Sequence, residues 1–250
     1  LHVRSRRQRQ MCIRDRALEH AAAVGNSGIE SLQWGNLAVL RQSLGQYEEA
    51  LHCAERAMER ASGTDREETA AHNRRVMGEA RAWLGDTDGA FADLQEALAL
   101  SIKLSLAGNR IYVHNSLGNV HRISGNWGRA VEEHATALDL ADSVGDHSGD
   151  AEILADLGIT YAAAGRDTEA ARALDKALRL AEERDEQYIR AKAALALGGL
   201  PAPVVDDERA CALLASAERL LTDLELSDAK LAREALERRS PGAEDPSHVW

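Results

Sequence analysis

His114 and His121 stand seven residues apart in IYVHNSLGNVHRI, close enough to two helical turns to share one face. Two imidazoles so placed could bind a metal or pass a proton, but either use needs a third group. No carboxylate or other ligand stands at metal spacing beside them, so they read as histidines on a helix surface. The acidic stretch DSVGDHSGDAE, Asp142 to Glu152, lacks the alternating oxygen ligands of a calcium loop and reads as a solvated link. Glu48-Glu49 and Glu132-Glu133 fall near expected helix starts, where carboxylates complement the helix dipole without any catalytic role. Cys12, Cys53 and Cys211 show no CxxC spacing, and three cysteines cannot all pair, so reduced thiols are expected, with Cys53 and Cys211 as small core residues. No Walker loop, GxGxxG, HExxH or GxSxG occurs. The sequence thus predicts no catalytic residue, no metal site and no cofactor; it does not read as an enzyme.

The elements that would carry any other function are helices. Alanine and leucine dominate and aromatics make up only 4%, which disfavours a β-sandwich and favours closely packed helices. No apolar run approaches the ~18 residues of a membrane span, and the basic N-terminus lacks the apolar stretch of a secretory signal. The net charge is −11, and the first 16 residues contribute +5, which leaves −16 for residues 17–250. Such a body repels nucleic acid and anionic membrane, so neither is expected as a partner; the reduced thiols make the localisation expected cytoplasmic. Only four of the 30 basic residues are lysines, a bias that suggests a GC-rich bacterial genome.

Written in blocks of forty from Ser31, the sequence falls into register with itself without a gap. One column reads Ala50, Ala90, Ala130, Ala170, Ala210, and another Ala57, Ala97, Ala137, Ala177, Ala217. A third reads Ala38, Gly78, Gly118, Gly158, Gly198, and a fourth Gly45, Gly85, Gly125, Gly165 before breaking at Val205. Each block predicts two antiparallel helices. The first covers roughly 31–44, 71–84, 111–124 and 151–164, and the glycine of the fourth column ends it by adopting positive φ. A glycine inside a helix costs about 1 kcal/mol relative to alanine. The third column is therefore expected where a partner helix approaches closely, and a bulky residue there should overpack the seam by roughly 1–3 kcal/mol. In the fifth block Pro201 and Pro203 cut the first helix, and Ala229 to Arg239 offers a further amphipathic helix suited to covering the last apolar face.

These units resemble tetratricopeptide (TPR) repeats in a forty-residue variety. The resemblance is carried by Leu157-Gly158-x-x-Tyr161 with Gly165, Ala170, Leu174 and Ala177, and by Trp34-x-x-Leu37-Ala38 with Leu44-Gly45-x-Tyr47, Ala50 and Ala57. It departs from the family where an aromatic is expected and Ala54, Leu94, His134 or Leu174 stands. The resemblance implies an all-α fold, a TPR α-solenoid of antiparallel helix pairs in a right-handed superhelix. The divisions expected are repeats at 31–70, 71–110, 111–150 and 151–190, a degenerate repeat with capping helix at 191–239, and a flexible tail at 240–250. Residues 17–30 echo the second helix of a truncated repeat, since ALEHAAAVG matches ALDLADSVG from Ala137. Residues 1–16, with RRQRQMCIRDR from Arg6, are similar to a translated sequencing-library adapter, which implies a non-native tail and a protein continuing upstream.

The resemblance further implies that first helices line a concave groove in which a peptide or protein ligand binds. Its candidate residues are Asn36, Arg75, Glu79, Tyr112, Asn115, Asn119 and Arg122, with Val39 and Trp83 on the same face. Asn and Arg side chains can hydrogen-bond a peptide backbone and its carboxylates. Trp83 and Trp127 have a second reading, as residues buried where repeats join. The forty-residue units and the VGD-x-x-G-D-A link at Val144 are similar to the C-terminal TPR regions of bacterial signal-transduction ATPases and transcription activators. That likeness implies a sensor or regulatory fragment with an intramolecular partner domain upstream. The alternatives are a substrate-selecting region of a larger enzyme and a module for self-association into a homo-oligomer.

Overall fold

The computed structural model describes residues 26–61, 66–224 and 226–239. The adapter-like segment, residues 17–25 of the echo, Cys12 and the 240–250 tail lie outside the described residues, and residues 27–30, expected in a remnant second helix, belong to the first described helix. Eleven described helices follow one another with no strand among them. They are α1 (Ser27–Ser43), α2 (Tyr47–Arg60), α3 (Arg66–Trp83), α4 (Thr87–Lys103), α5 (Ala107–Ile123) and α6 (Trp127–Val144). The chain continues through α7 (Asp150–Ala163), α8 (Asp167–Glu183), α9 (Gln187–Gly198), α10 (Asp207–Asp223) and α11 (Asp228–Arg239). Two compact units divide them, α1–α6 up to Gly149 and α7–α11 from Asp150.

Local chemistry fixes the helix ends. Asn26, Asp86 and Asp206 accept from the backbone N–H three residues on, at 3.1, 2.9 and 2.9 Å, so α1, α4 and α10 begin on side-chain caps. The Asn26 cap starts the first described helix at Ser27, four residues before the repeat pattern placed it. In the first four repeats the first helix ends on a left-handed glycine, at φ +71° for Gly45 and +89° for Gly85. The following N–H then reaches back five residues, Gln46 to the Arg41 carbonyl at 3.0 Å and Asp86 to that of Arg81 at 2.9 Å, which closes a Schellman turn. The links between repeats use the same turn at Ser105 (φ 56°), Gly145 and Asp185 (φ 53°).

In the first unit α1 packs on α2, α3 on α4 and α5 on α6, and successive first helices α1, α3 and α5 also touch. The seam is made of small residues. Ala50, Ala57, Ala90, Ala97, Ala130 and Ala137 are wholly buried. A Cβ on Gly78 would lie 2.7 Å from Leu94 Cγ and 2.9 Å from the Ala90 carbonyl oxygen, so the bare backbone is what admits Leu94. At Gly118 the intruding side chain is His134, whose ring would lie 2.6 Å from such a Cβ. Asp93, buried on α4, takes Arg74 at 2.7 Å and Arg81 at 2.9 Å from α3. Its pKa is raised because burial outweighs those two cations.

The second unit repeats the scheme with α7 on α8 and α9 on α10, and α11 packs on α10. Gly158 and Gly198 admit Leu174 and Leu214. Between first helices α7 and α9, Lys192 Nζ donates to Asp156 Oδ1 at 2.5 Å. The chain leaves α9 at Gly198 and crosses Pro201 and Pro203, and Val205, 1% exposed, fills core where earlier repeats turn on glycine. Arg239 on α11 ties this loop down by donating to the carbonyls of Leu200 and Val205 and pairing with Asp207 at 3.1 Å.

Candidate functional site

The first helices of the first unit carry polar and aromatic side chains, with Ile29, Leu32 and Val39 exposed on α1 beside them. Their N-terminal halves line a pocket of about 760 Å³, with Leu32 and Asn36 from α1, Glu68, His72 and Asn73 from α3, and Asn109 from α5. Gly28, Gly35 and Gly108 leave backbone bare on its walls. His72 titrates at about 4, because burial and then the nearby Arg75 charge disfavour its protonated form. It is therefore neutral near pH 7, with one nitrogen to donate and one to accept. Asn73 donates from Nδ2 to the Thr69 carbonyl at 2.9 Å, and its buried Oδ1 has no partner among the described residues.

Further along α3 and α5 the candidates gather around a carboxylate. Glu79 Oε2 accepts from Ser116 Oγ at 2.9 Å, and Asn119 Nδ2 lies 3.4 Å from Oε1. Arg75 on the turn before Glu79 sits over the Tyr112 ring, 5.7 Å from its centroid. Arg122 lies 3.5 Å from Asn119 Oδ1 and 5.8 Å from the Trp83 ring centroid. Trp83 in turn stacks on Tyr47 at 5.4 Å and 7° between planes. Arg75, Glu79, Tyr112, Asn119 and Arg122 thus form one cluster, and Asn36 belongs to the adjoining pocket.

Asn115 is placed differently. It is 4% exposed, with Oδ1 2.8 Å from His134 Nδ1 inside the α5–α6 pair. The cause is its position one turn before Gly118, which turns it toward the partner helix and away from the shared first-helix surface. Asn119, also 4% exposed, forms the floor of the cluster more than its face. Trp83 and Trp127 are 45% and 44% exposed, so neither is buried at a joint. His114 Nδ1 lies 2.7 Å from Glu133 Oε2, and His121, which packs on Phe91 at 4.8 Å, feels the charge of the same carboxylate. The bond from His114 is the main cause that holds the Glu133 carboxyl below its usual range. Among the described residues no group of three or more His, Cys, Asp or Glu is placed to hold a metal ion, and no helix is long and apolar enough to cross a membrane.

Sequence reasoning missed His72, Ser116 and Tyr47, although the forty-residue register carried a signal for two of them. Ser116 stands in the column of Asn36, and His72 in that of Tyr112. His72 and Tyr112 lie in successive first helices, whereas Asn36 and Ser116 are two repeats apart with Val76 between them, so the first pair is the stronger pointer.

Helix pairs repeated in one register define a helical-repeat protein. The repeats are identifiable: residues 35–62 and 109–183 match the tetratricopeptide repeat family, and the described residues of each unit have the all-α TPR fold of paired antiparallel helices. No curated protein sequence matches it. Among solved structures it is similar to a signal transduction ATPase with numerous domains carrying a tetratricopeptide repeat sensor, from Pyrococcus horikoshii. That match has a TM-score of 0.62 at 14% identity over 84% of this chain and 32% of that one. The chain therefore spans about a third of the ATPase's length. It is similar also to a Rap protein complexed with competence and sporulation factor, with a TM-score of 0.62 at 16% identity over 90% of this chain and 67% of that one. A third likeness is to the Rap conjugation gene regulator of plasmid pLS20 in complex with the Phr* peptide, with a TM-score of 0.60 at 16% identity, covering 93% and 75%. At these identities the likeness is one of fold.

Proposed function

We propose that the chain is a non-catalytic scaffold that binds a peptide or protein segment along the first helices α1, α3 and α5. The observation that carries this reading is the surface itself, a pocket of about 760 Å³ continuous in sequence order with the Arg75–Glu79–Tyr112–Asn119–Arg122 cluster. Amides and neutral His72 can meet a peptide backbone's alternating donors and acceptors, and exposed Trp83 offers an aromatic platform of the kind that anchors interfaces. Two solved structures of similar fold contain a peptide or signalling factor, and another carries its TPR region as a sensor in a larger ATPase. Those likenesses support a role as the sensor or regulatory part of a larger bacterial signalling or transcription-regulatory protein, acting in the cytoplasm. In such a protein the occupant of the groove sets the state of an attached domain.

The test is partner capture by the chain and by an Arg75→Glu, Arg122→Glu variant of unchanged helical content. Reversing both cations should reduce capture of the wild-type partners at least roughly tenfold. Undiminished capture would remove the groove from the account.

A further inference from the structure

The pocket at the N-terminal halves of α1, α3 and α5 holds hydrogen-bonding capacity that the described residues leave unused. His72, half-buried, lines it with a ring that no hydrogen bond from a described residue reaches. Burial and the Arg75 charge keep that ring neutral, so one nitrogen is left to accept and the other to donate. Asn73 follows it on α3, 2% exposed, and lines the same pocket. The two ends of its amide are not interchangeable. The atom 2.9 Å from the Thr69 carbonyl oxygen has to be the nitrogen, so the acceptor Oδ1 is the end left without a donor. Gly35 makes room for this amide, because a Cβ there would lie 3.3 Å from Oδ1. The same position in the next three repeats holds Val113, Ile153 and Ala193, all wholly buried. Packing therefore asks for an apolar residue here, and an amide with an orphaned oxygen costs stability that the other repeats do not give up.

Charge narrows what would supply the donor. Among the described residues that line the pocket only Glu68 is ionised, and it is exposed. An entering carboxylate would meet that charge and no cation of the lining, since Arg75 stays outside it, in an ion pair with Glu79 at 4.0 Å. An ammonium or guanidinium would meet the burial and the Arg75 charge that already keep a proton off His72. A neutral group remains. The unused acceptors are two, Asn73 Oδ1 and the bare nitrogen of His72, beside one donor, the His72 N–H. A hydroxyl brings one donor, whereas a primary carboxamide brings two and a carbonyl to accept from the ring.

We propose that this pocket is a carboxamide site, in which the CONH2 group of a glutamine or asparagine side chain, or of a small free amide, is held by His72 and Asn73. The proposal rests on the groove reading above and names the chemistry that its first pocket selects. A volume of about 760 Å³ leaves room for the chain that carries the amide, against Leu32 and the bare backbone of Gly28 and Gly108.

The probe is a set of immobilised degenerate octapeptide pools with acetylated N-termini and N-methylamide C-termini, Asn and Gln being omitted from the degenerate positions. Each pool fixes one position as Gln, Asn, Glu, Asp, Met or Leu, so primary amides occur only in the first two. The full chain should be retained by the Gln or the Asn pool roughly tenfold better than by the acidic and apolar pools, the factor expected of one or two neutral hydrogen bonds. His72→Phe keeps an aromatic ring and should erase the preference, whereas His72→Gln, which restores a donor and an acceptor, should recover part of it. Asn73→Val installs the residue of the next repeat, so it should keep the helical content and lower the preference about threefold. Free N-acetylglutamine N-methylamide separates the two sources. Displacement from the Gln pool at micromolar concentration assigns the site to a small amide, and displacement only at higher concentration assigns it to a side chain of a longer segment. Equal retention of all pools, a preference for acidic or apolar ones, or an amide preference that survives His72→Phe or Asn73→Val would each overturn the proposal while leaving the groove reading intact. Retention of no pool would overturn both readings together.

Discussion

Replacing Asp156 by alanine is expected to destabilise the second unit by about 3 kcal/mol, the low end of the range for removing one partner of a buried ion pair. Asp156 is 2% exposed and Lys192 23%, so the ammonium left behind has only partial access to water. Burial alone would depress the Lys192 pKa, but the Asp156 carboxylate, with Tyr188 and Glu152, outweighs it and holds the group raised and charged. Without Asp156 the same burial acts unopposed by its strongest partner, and the folded state must carry an uncompensated charge or release its proton. The double variant Asp156→Leu, Lys192→Met should recover most of the loss, because exchanging a buried pair for apolar groups of similar volume is close to neutral. Denaturant unfolding of the wild type, both singles and the double measures the coupling directly. Additive costs would mean that the pair does not join α7 to α9.

The second large effect is a reversal of sign. A Cβ on Gly158 would lie 2.5 Å from Leu174 Cγ and 3.2 Å from the Leu174 backbone nitrogen. Gly158→Ala gains about 1 kcal/mol of helix propensity but should lose more to overpacking, leaving a net cost of roughly 1–2 kcal/mol. Leu174→Ala alone opens a cavity and should cost about 2–5 kcal/mol. In that background Gly158→Ala should become stabilising, since the new methyl group enters vacated space while the helix gain remains. The first repeat already uses this combination: Ala38 and Ala54 occupy the equivalent positions, wholly buried in one core cluster. Thermal and urea unfolding of the four variants decide it. A Gly158→Ala cost that is the same whether Leu174 is intact or truncated would mean that the seam is not set by close approach at this glycine.

The architecture was readable because the physics behind it needs particular residue types. A left-handed helix end selects glycine, and the column at Gly45, Gly85, Gly125 and Gly165 announced the turn within each of the first four repeats. A helix contact too close for a Cβ does the same at Gly78, Gly118, Gly158 and Gly198. Where the same backbone is built on other residues the signal fades. Ser105 and Asp185 adopt positive φ between repeats, and no glycine marks them. The site was less legible, because a helical position fixes a direction but not what waits there. Asn115 and Asn119 look alike in sequence, yet the turn before Gly118 delivers Asn115 to His134, a residue that fills a place given to leucine in three other repeats. That Arg74 and Arg81 share Asp93 is likewise set by helix packing across 19 residues of sequence or fewer, and is invisible without it.

The most direct test of the account is where a bound peptide lies. A photo-reactive benzoylphenylalanine placed at Leu32 or Trp83, exposed positions of α1 and α3, should cross-link to a peptide selected for binding the chain. The same group at Glu96 or Arg129, exposed at 52% and 73% on second helices α4 and α6, should not. Cross-links from the second-helix positions, with none from Leu32 or Trp83, would contradict the assignment of the first-helix surface as the binding site.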